Sequence, residues 1–218
     1  MRERERKLVL GSGSPRRRDL LGRLGVSFSI LVADVDEDVI TEPDPGENVR
    51  QRALLKAEAL WSLVDAEAYV LTADTTVAVD GEMLNKPANG AIARQMLGRL
   101  CGRAHQVYTG VALSHPDFGL LESLVCVTTV HMRSYTAEEV DKYIATGDPF
   151  DKAGSYAIQH TLFQPVDRFE GCYSGVVGLP VCHVGAMLRR AGFLLDTDIT
   201  DKLWLLPESI CACPRGTL

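Results

Sequence analysis

Lys7-Leu8-Val9-Leu10-Gly11-Ser12-Gly13-Ser14-Pro15-Arg16-Arg17-Arg18 joins an apolar strand, a small-residue loop and a helix start in one run. Ser14 has the side chain of an N-cap and Pro15 suits the first helical position. Leu20, Leu21 and Leu24 then recur at helical spacing until Gly25 ends the helix. A strand that runs through small residues into a helix presents free backbone N–H groups and a positive dipole end, a seat for an anion. Three arginines in that first turn are each unfavourable by about 0.3–1 kcal/mol, where a structural helix start prefers Asp or Glu. A bound polyanion accounts for them; a solvated basic turn beside acidic neighbours is the alternative. The run is no dinucleotide fingerprint, because Arg16 stands where G-x-G-x-x-G needs its third glycine, and no Walker loop is present.

Beyond this run, residues 27–32 read as a second strand, followed by an acidic loop and the turn Pro43-Asp44-Pro45-Gly46. Residues 48–64 form an Ala/Leu-rich helix carrying Lys56, and residues 69–73 an apolar strand that ends at Asp74. Asp80-Gly81 between apolar flanks signals a hairpin. Residues 88–100 are helical, and residues 107–113 and 121–132 are two long strands. Thr136 to Glu139 is a capping box opening a helix to about Thr146. Residues 148–159 and a less regular strand region lead to a last helix over residues 181–190. Interleaved strands and helices specify an α/β class with a mixed sheet. Trp204 onward reads as a loosely packed tail.

The chain has 218 residues, 46% of them hydrophobic and 24% charged, enough apolar content for a substantial core and too much for disorder. No run reaches the roughly 18 apolar residues of a membrane span, and the charged start precedes no signal-peptide core, so a cytoplasmic address is the expectation. The net charge of −6 argues against a nucleic-acid binder that relies on global positive potential, but leaves room for a local cationic pocket. The six cysteines are scattered with no C-x-x-C pair, and read as buried thiols.

Asp74 at a strand end could bind Mg²⁺, serve as general base on a water, or merely cap a turn. Asp34, Asp36, Glu37 and Asp38 could hold a divalent cation or form a solvated acidic loop. Lys56, Lys86 and Asp151-Lys152 are each ordinary alone. The five histidines have no ligand spacing, so zinc is not expected, and no G-x-S-x-G elbow exists.

Taken in order, Ser12-Gly13-Ser14-Pro15-Arg16-Arg17, Ala73-Asp74-Thr75, Asn85-Lys86-Pro87, Asp151-Lys152-Ala153-Gly154-Ser155-Tyr156, Ile158-Gln159 and Val176-Val177-Gly178-Leu179-Pro180 resemble the Maf family of nucleotide pyrophosphatases from about Lys7 to Arg190. The resemblance implies one α/β domain, a mixed twisted sheet flanked by helices with two lobes around a central cleft, similar to inosine triphosphatases. It implies hydrolysis of nucleoside triphosphates to monophosphate and pyrophosphate with a divalent metal, Mg²⁺ or Mn²⁺. By resemblance Asp74 is the proton-accepting aspartate, Glu37 a metal ligand beside it, and Lys56, Lys86, Arg17 and Ser14 line the phosphate path. Asp151 and Lys152 match the family's DKAG corner.

Three positions divide the family by substrate. The branch acting on 7-methyl-GTP carries an aromatic, a Gln and a Glu where this chain has Arg16, Thr75 and Gln159, a set similar to the dTTP/UTP branch. A Gln amide offers one donor and one acceptor, matching O4 and N3–H of uracil or thymine. The chain departs from the family at Ala157 and His160, where glycines usually flank Ile-Gln. The expectation is therefore a dTTP/UTP pyrophosphatase domain over residues 1–198 with a tail over 199–218. It would act on free nucleotides, away from nucleic acid and membrane, as a homodimer on the prior that two-fold pairs are commonest. A 7-methyl-GTP or modified-nucleotide enzyme, and a non-catalytic nucleotide-binding regulator of cell division, are the alternatives.

Overall fold

The computed structural model describes residues 6–195; the expected tail over 199–218, with Cys211 and Cys213, lies outside the described residues. One seven-stranded mixed sheet runs through the molecule in the order β2-β1-β3-β5-β6-β7, with β4 paired to the free part of β3. The strands are β1 (Lys7–Leu10), β2 (Ser29–Ile30), β3 (Ala68–Val79), β4 (Glu82–Leu84), β5 (Ala104–His115), β6 (Gly119–Met132) and β7 (Val166–Glu170). The helices are α1 (Pro15–Gly22), α2 (Pro45–Leu60), α3 (Gly90–Leu100), α4 (Ala137–Ala145), α5 (Tyr173–Val177) and α6 (Val181–Arg190).

β3 organises the site. Its first residues pair in parallel with β1 as far as Leu10↔Leu71, and its last pair antiparallel with β4 from Val77↔Leu84. Between these, residues 72–76 have one edge uncovered, while the other edge stays paired to β5 throughout. Alternation then sorts the side chains by face. Leu71 and Ala73 join a cluster with Leu10, Leu21, Val184 and Met187, under α1 and α6. Val77 and Val79 join a second cluster with Leu97, Val130, Val140 and Tyr143, under α3 and α4. Val70, on the opposite face, packs with Ala57 and Leu60 of α2. The two clusters on one face are the two lobes, and the cleft opens where β3 passes from one to the other.

Several elements differ from the sequence expectation. Asp74 does not end a strand: it sits inside β3, paired with Gly110, because β5 continues the ladder past the point where β1 stops. The turn at residues 43–46 is the start of α2. Asp44 caps it, its Oδ1 accepting from Glu47 N at 2.7 Å, and Pro45 takes the first helical position. The strand expected over 27–32 is reduced to two residues, pairing only with Val9 and Leu10. Residues 148–159, to which the sequence assigned no element, contain two 3₁₀ turns, and the less regular strand region after them is β7. No helix among the described residues is long and apolar enough to cross a membrane.

Candidate active site

α2 lies flat against the uncovered part of β3. Thr72 Oγ1 donates to Ala53 O at 2.6 Å, and one turn further along α2 Lys56 reaches Asp74. Lys56 Nζ donates to Asp74 Oδ1 at 2.6 Å and lies 3.0 Å from Glu37 Oε2, so one ammonium joins two carboxylates. Lys56 and Asp74 are nearly buried, and Glu37 is one-third exposed. Burial pushes the Glu37 carboxyl up, but the Lys56 charge and hydrogen bond outweigh it and hold Glu37 below its ordinary value.

Only one member of the acidic loop turns inward. Asp36 caps the 3₁₀ turn Glu37–Val39 through Asp38 N, Asp34 is exposed, and Asp38 faces solvent beside Arg52. Arg52, which sequence reasoning missed, lies one turn before Lys56 with its guanidinium 3.8 Å from Glu37 Oε2 and its Nε buried without a partner. The signal was its i−4 spacing from Lys56.

The three arginines at the start of α1 have different fates. Arg18 pairs with its exposed neighbour Asp19, as a solvated turn would have it. Arg16 donates to Asp151 Oδ2 at 2.9 Å. Arg17 points into the protein, donating to Gly178 O at 2.9 Å, Ser12 Oγ at 3.3 Å and Thr75 Oγ1 at 3.2 Å. Burial lowers its pKa and the Asp74 charge opposes this, yet a guanidinium stays protonated.

The hydroxyls beyond Arg17 have a fixed direction. Thr109 Oγ1 donates its one proton to Gly175 O at 2.8 Å, so toward Thr75, 2.9 Å away, it must accept. Thr75 therefore donates to Thr109 and accepts from Arg17. The chain Arg17→Thr75→Thr109→Gly175 ties the helix start, β3, β5 and α5 together.

Lys86 follows Asn85, whose Oδ1 accepts from Thr76 Oγ1 at 3.0 Å and whose carbonyl accepts from Gly154 N at 3.4 Å. Gly154 needs its glycine: φ is +68°, and an added Cβ would stand 2.8 Å from Val77 Cγ2. The neighbouring Lys152 is buried and donates to Asp148 O, Asp148 Oδ1 and Asp151 Oδ1 at 2.6–2.8 Å, which uses all three of its N–H groups. Burial would raise Asp148 and Asp151, but hydrogen bonds from Lys152 outweigh it and hold both low. Lys152 thus holds the corner together at the edge of the cleft.

Ser14, Arg16, Arg17, Lys56, Asp74, Thr75, Lys86, Asp151, Lys152 and Gln159 all line one cleft, and Glu37 joins them through Lys56. Val77, Val107, Tyr156, Val176 and Val177 give the same cleft an apolar wall, which the sequence alone did not mark as site. Among the described residues no group of three or more His, Cys, Asp and Glu converges as a metal shell. Glu37 and Asp74 supply oxygen donors of the kind a hard divalent cation takes, with phosphate oxygens and water able to complete the set. Cys101, Cys126, Cys172 and Cys182 are free thiols.

A charged cleft cut across an α/β sheet, cationic on one side and apolar on the other, is a site for a small anionic ligand that carries an apolar group. The family model for Maf-like proteins matches residues 7–191, and the chain belongs to that family. It is 41% identical over 199 residues to the dTTP/UTP pyrophosphatase of Chromobacterium violaceum, covering 89% of this chain and 100% of that one. It is 44% identical over 193 residues to the dTTP/UTP pyrophosphatase of Symbiobacterium thermophilum, covering 88% and 97%. A solved structure, the Staphylococcus aureus Ham1 protein, aligns loosely over 85% of this chain and 99% of its own, with a TM-score of 0.46 at 18% identity.

Proposed function

We propose that the chain hydrolyses dTTP and UTP to the monophosphate and pyrophosphate. The observation that carries this is the convergence of Asp74 and Lys56 with Arg16, Arg17 and Lys86 in a cleft that also holds Gln159. Relatives that match along nearly their whole length and are named dTTP/UTP pyrophosphatases support the same reading.

In this reading the phosphates lie along the cationic side. Lys86 and Arg16 neutralise charge that builds on the departing pyrophosphate, and Arg17, already held by three acceptors, meets the phosphates without reorganising. Lys56 occupies Asp74 Oδ1, which leaves Oδ2 to take a proton from the water that attacks the α-phosphorus in line. The P–O bond to the β-phosphate breaks, and pyrophosphate leaves with the bonding pair. A Mg²⁺ or Mn²⁺ held by Glu37, Asp74 and phosphate oxygens would supply Lewis-acid polarisation. The base faces the apolar wall, with the Gln159 amide meeting O4 and N3–H. The enzyme works in the cytoplasm on free nucleotides, and as a homodimer on the two-fold prior alone.

The test is a panel of dTTP, UTP, CTP, GTP and 7-methyl-GTP with Mg²⁺ or Mn²⁺, scored for pyrophosphate. Pyrophosphate and monophosphate in equal amounts, fastest from dTTP and UTP, is the expected result. Fastest turnover of 7-methyl-GTP would place the chain in the other branch, and nucleotide binding without pyrophosphate would make it a regulator.

A further inference from the structure

We infer, building on the reading of Gln159 as the residue that meets the base, that His160 is the positioning residue that fixes Gln159 and thereby sets base selectivity. Gln159 lines the cleft, whereas His160 does not, so His160 acts on the base only through its neighbour.

The segment that carries Gln159 is a tight turn held at both ends. His160 N donates to Ala157 O at 3.2 Å, which closes the backbone around Ile158 and Gln159. At the near end Ala157 N donates to Tyr143 Oη at 3.1 Å, and that hydroxyl donates onward to Asp148 Oδ2 at 2.6 Å. At the far end His160 Nδ1 accepts from Phe163 N at 2.9 Å. The His160 ring also meets the Tyr143 ring edge-on at 4.7 Å, and Phe163 stacks on Tyr143 at 4.4 Å. Both ends of the turn are therefore anchored on one residue, Tyr143, which is 2% exposed.

Thr161 is exposed and Leu162 is 86% exposed, so the loop is held after them, where Arg133 donates to Phe163 O at 2.6 Å and to Gln164 O at 2.9 Å. The Nδ1 contact is the side-chain bond that ties His160 to that held part. Without the His160 acceptor, Phe163 N would lose its partner and the far end of the turn would keep only the backbone bond from Gln164 N to His160 O at 3.1 Å. A backbone that samples several arrangements would present the Gln159 amide at several places, and a hydrogen-bonding pair misplaced by about 1 Å loses most of its discrimination. The Nδ1 atom accepts, so in the neutral ring the proton sits on Nε2. Asn is the residue that keeps this acceptor, because its Oδ1 stands near the place of Nδ1.

The experiment measures kcat/KM for UTP and CTP, and Tm, on the full chain carrying His160, His160→Ala or His160→Asn. His160→Ala should lower the UTP-to-CTP ratio about tenfold, through KM rather than kcat, the worth of one well-made hydrogen bond. His160→Asn should bring the ratio back to within about twofold of the parent, since it keeps the acceptor. A ratio that does not move in His160→Ala overturns the inference, as does an equal loss for both nucleotides accompanied by a lower Tm. Failure of the proposed function is visible separately: the unsubstituted chain would then release no pyrophosphate from UTP, and the role given to His160 would fall with it.

Discussion

Gly110 and Asp74 are cross-strand partners on β5 and β3, and the missing side chain of Gly110 lets α2 approach close enough for Lys56 to reach Asp74. A Cβ at Gly110 would stand 2.4 Å from the Val49 carbonyl oxygen and 2.7 Å from Arg50 N, both backbone atoms of α2. Neither can yield without the helix moving. Gly110→Ala should therefore lift α2 from the sheet, costing about 1–3 kcal/mol as overpacking does. Tm falls by roughly 2–4 °C per kcal/mol in a chain of this size. Turnover should fall much further than stability, because Lys56 rides on the displaced helix. A variant with normal pyrophosphate release would show that the close approach is not needed for the site.

The Lys56–Asp74 pair should respond unequally to loss of either partner. Asp74→Asn keeps the volume and leaves Lys56 its contact with Glu37, so Tm should hold within a few degrees while turnover drops by about 10²–10⁴. Lys56→Met removes the cation that joins Asp74 to Glu37, leaving Glu37 only the more distant Arg52 guanidinium at 3.8 Å, and should cost stability toward the roughly 3–5 kcal/mol of a broken buried pair. Mg²⁺ should raise the Tm of Lys56→Met more than that of the parent chain, and a chelator should reverse the gain. Equal Tm for the two variants, with no response to Mg²⁺, would count against a shared cation position.

Acid should destabilise the fold through His105 at pH values where carboxylates are still ionised. His105 is buried with Nε2 2.7 Å from Tyr156 Oη, and burial, aided by the His131 charge, holds its pKa down at about 4. The unfolded chain takes up this proton near pH 6.5, and the folded chain only near pH 4. Stability is thus full above about pH 6.5, falls as the pH drops through this window and levels off below it, a loss of roughly 3 kcal/mol. His105→Gln retains a hydrogen-bonding group for Tyr156 but cannot titrate. Urea unfolding at pH 7 and pH 4.5 should show a smaller acid loss for this variant than for the parent.

Thr109→Val removes one hydroxyl from the directed chain that starts at Arg17 and ends on Gly175 O, while keeping the side-chain shape. Thr75 would lose its acceptor and Gly175 O its donor, at a cost of about 1 kcal/mol. The KM for UTP should rise, because Arg17 is less firmly held, with kcat changing less. An unchanged KM would mean that Arg17 is fixed by Gly178 and Ser12 alone.

Much of the site was legible as residue type and order. Ser14 and Pro15 marked the start of α1 because capping is a local matter, and α6 fell where its apolar spacing placed it. The partner of each charge was not legible. Nothing in the order of Arg16, Arg17 and Arg18 distinguishes the one that turns inward from the one paired with Asp19. Nor does the order of Asp151 and Lys152 show that the three protons of Lys152 go to Asp148 and Asp151. Asp74 looked like a strand end because the apolar run stops at Ala73, but strand length is set by the partner, and β5 continues past it.

The linear chain by itself determined the α/β class, the helix starts and the set of cations and carboxylates. Each of these depends on neighbours a few residues away or on composition. Tertiary structure alone decided that β1 and β4 leave residues 72–76 uncovered, that α2 can sit against Gly110, and that Glu37 rather than its acidic neighbours reaches Lys56. These facts depend on which distant segments share an edge and how closely their backbones approach, and such distances exist only once the chain has folded.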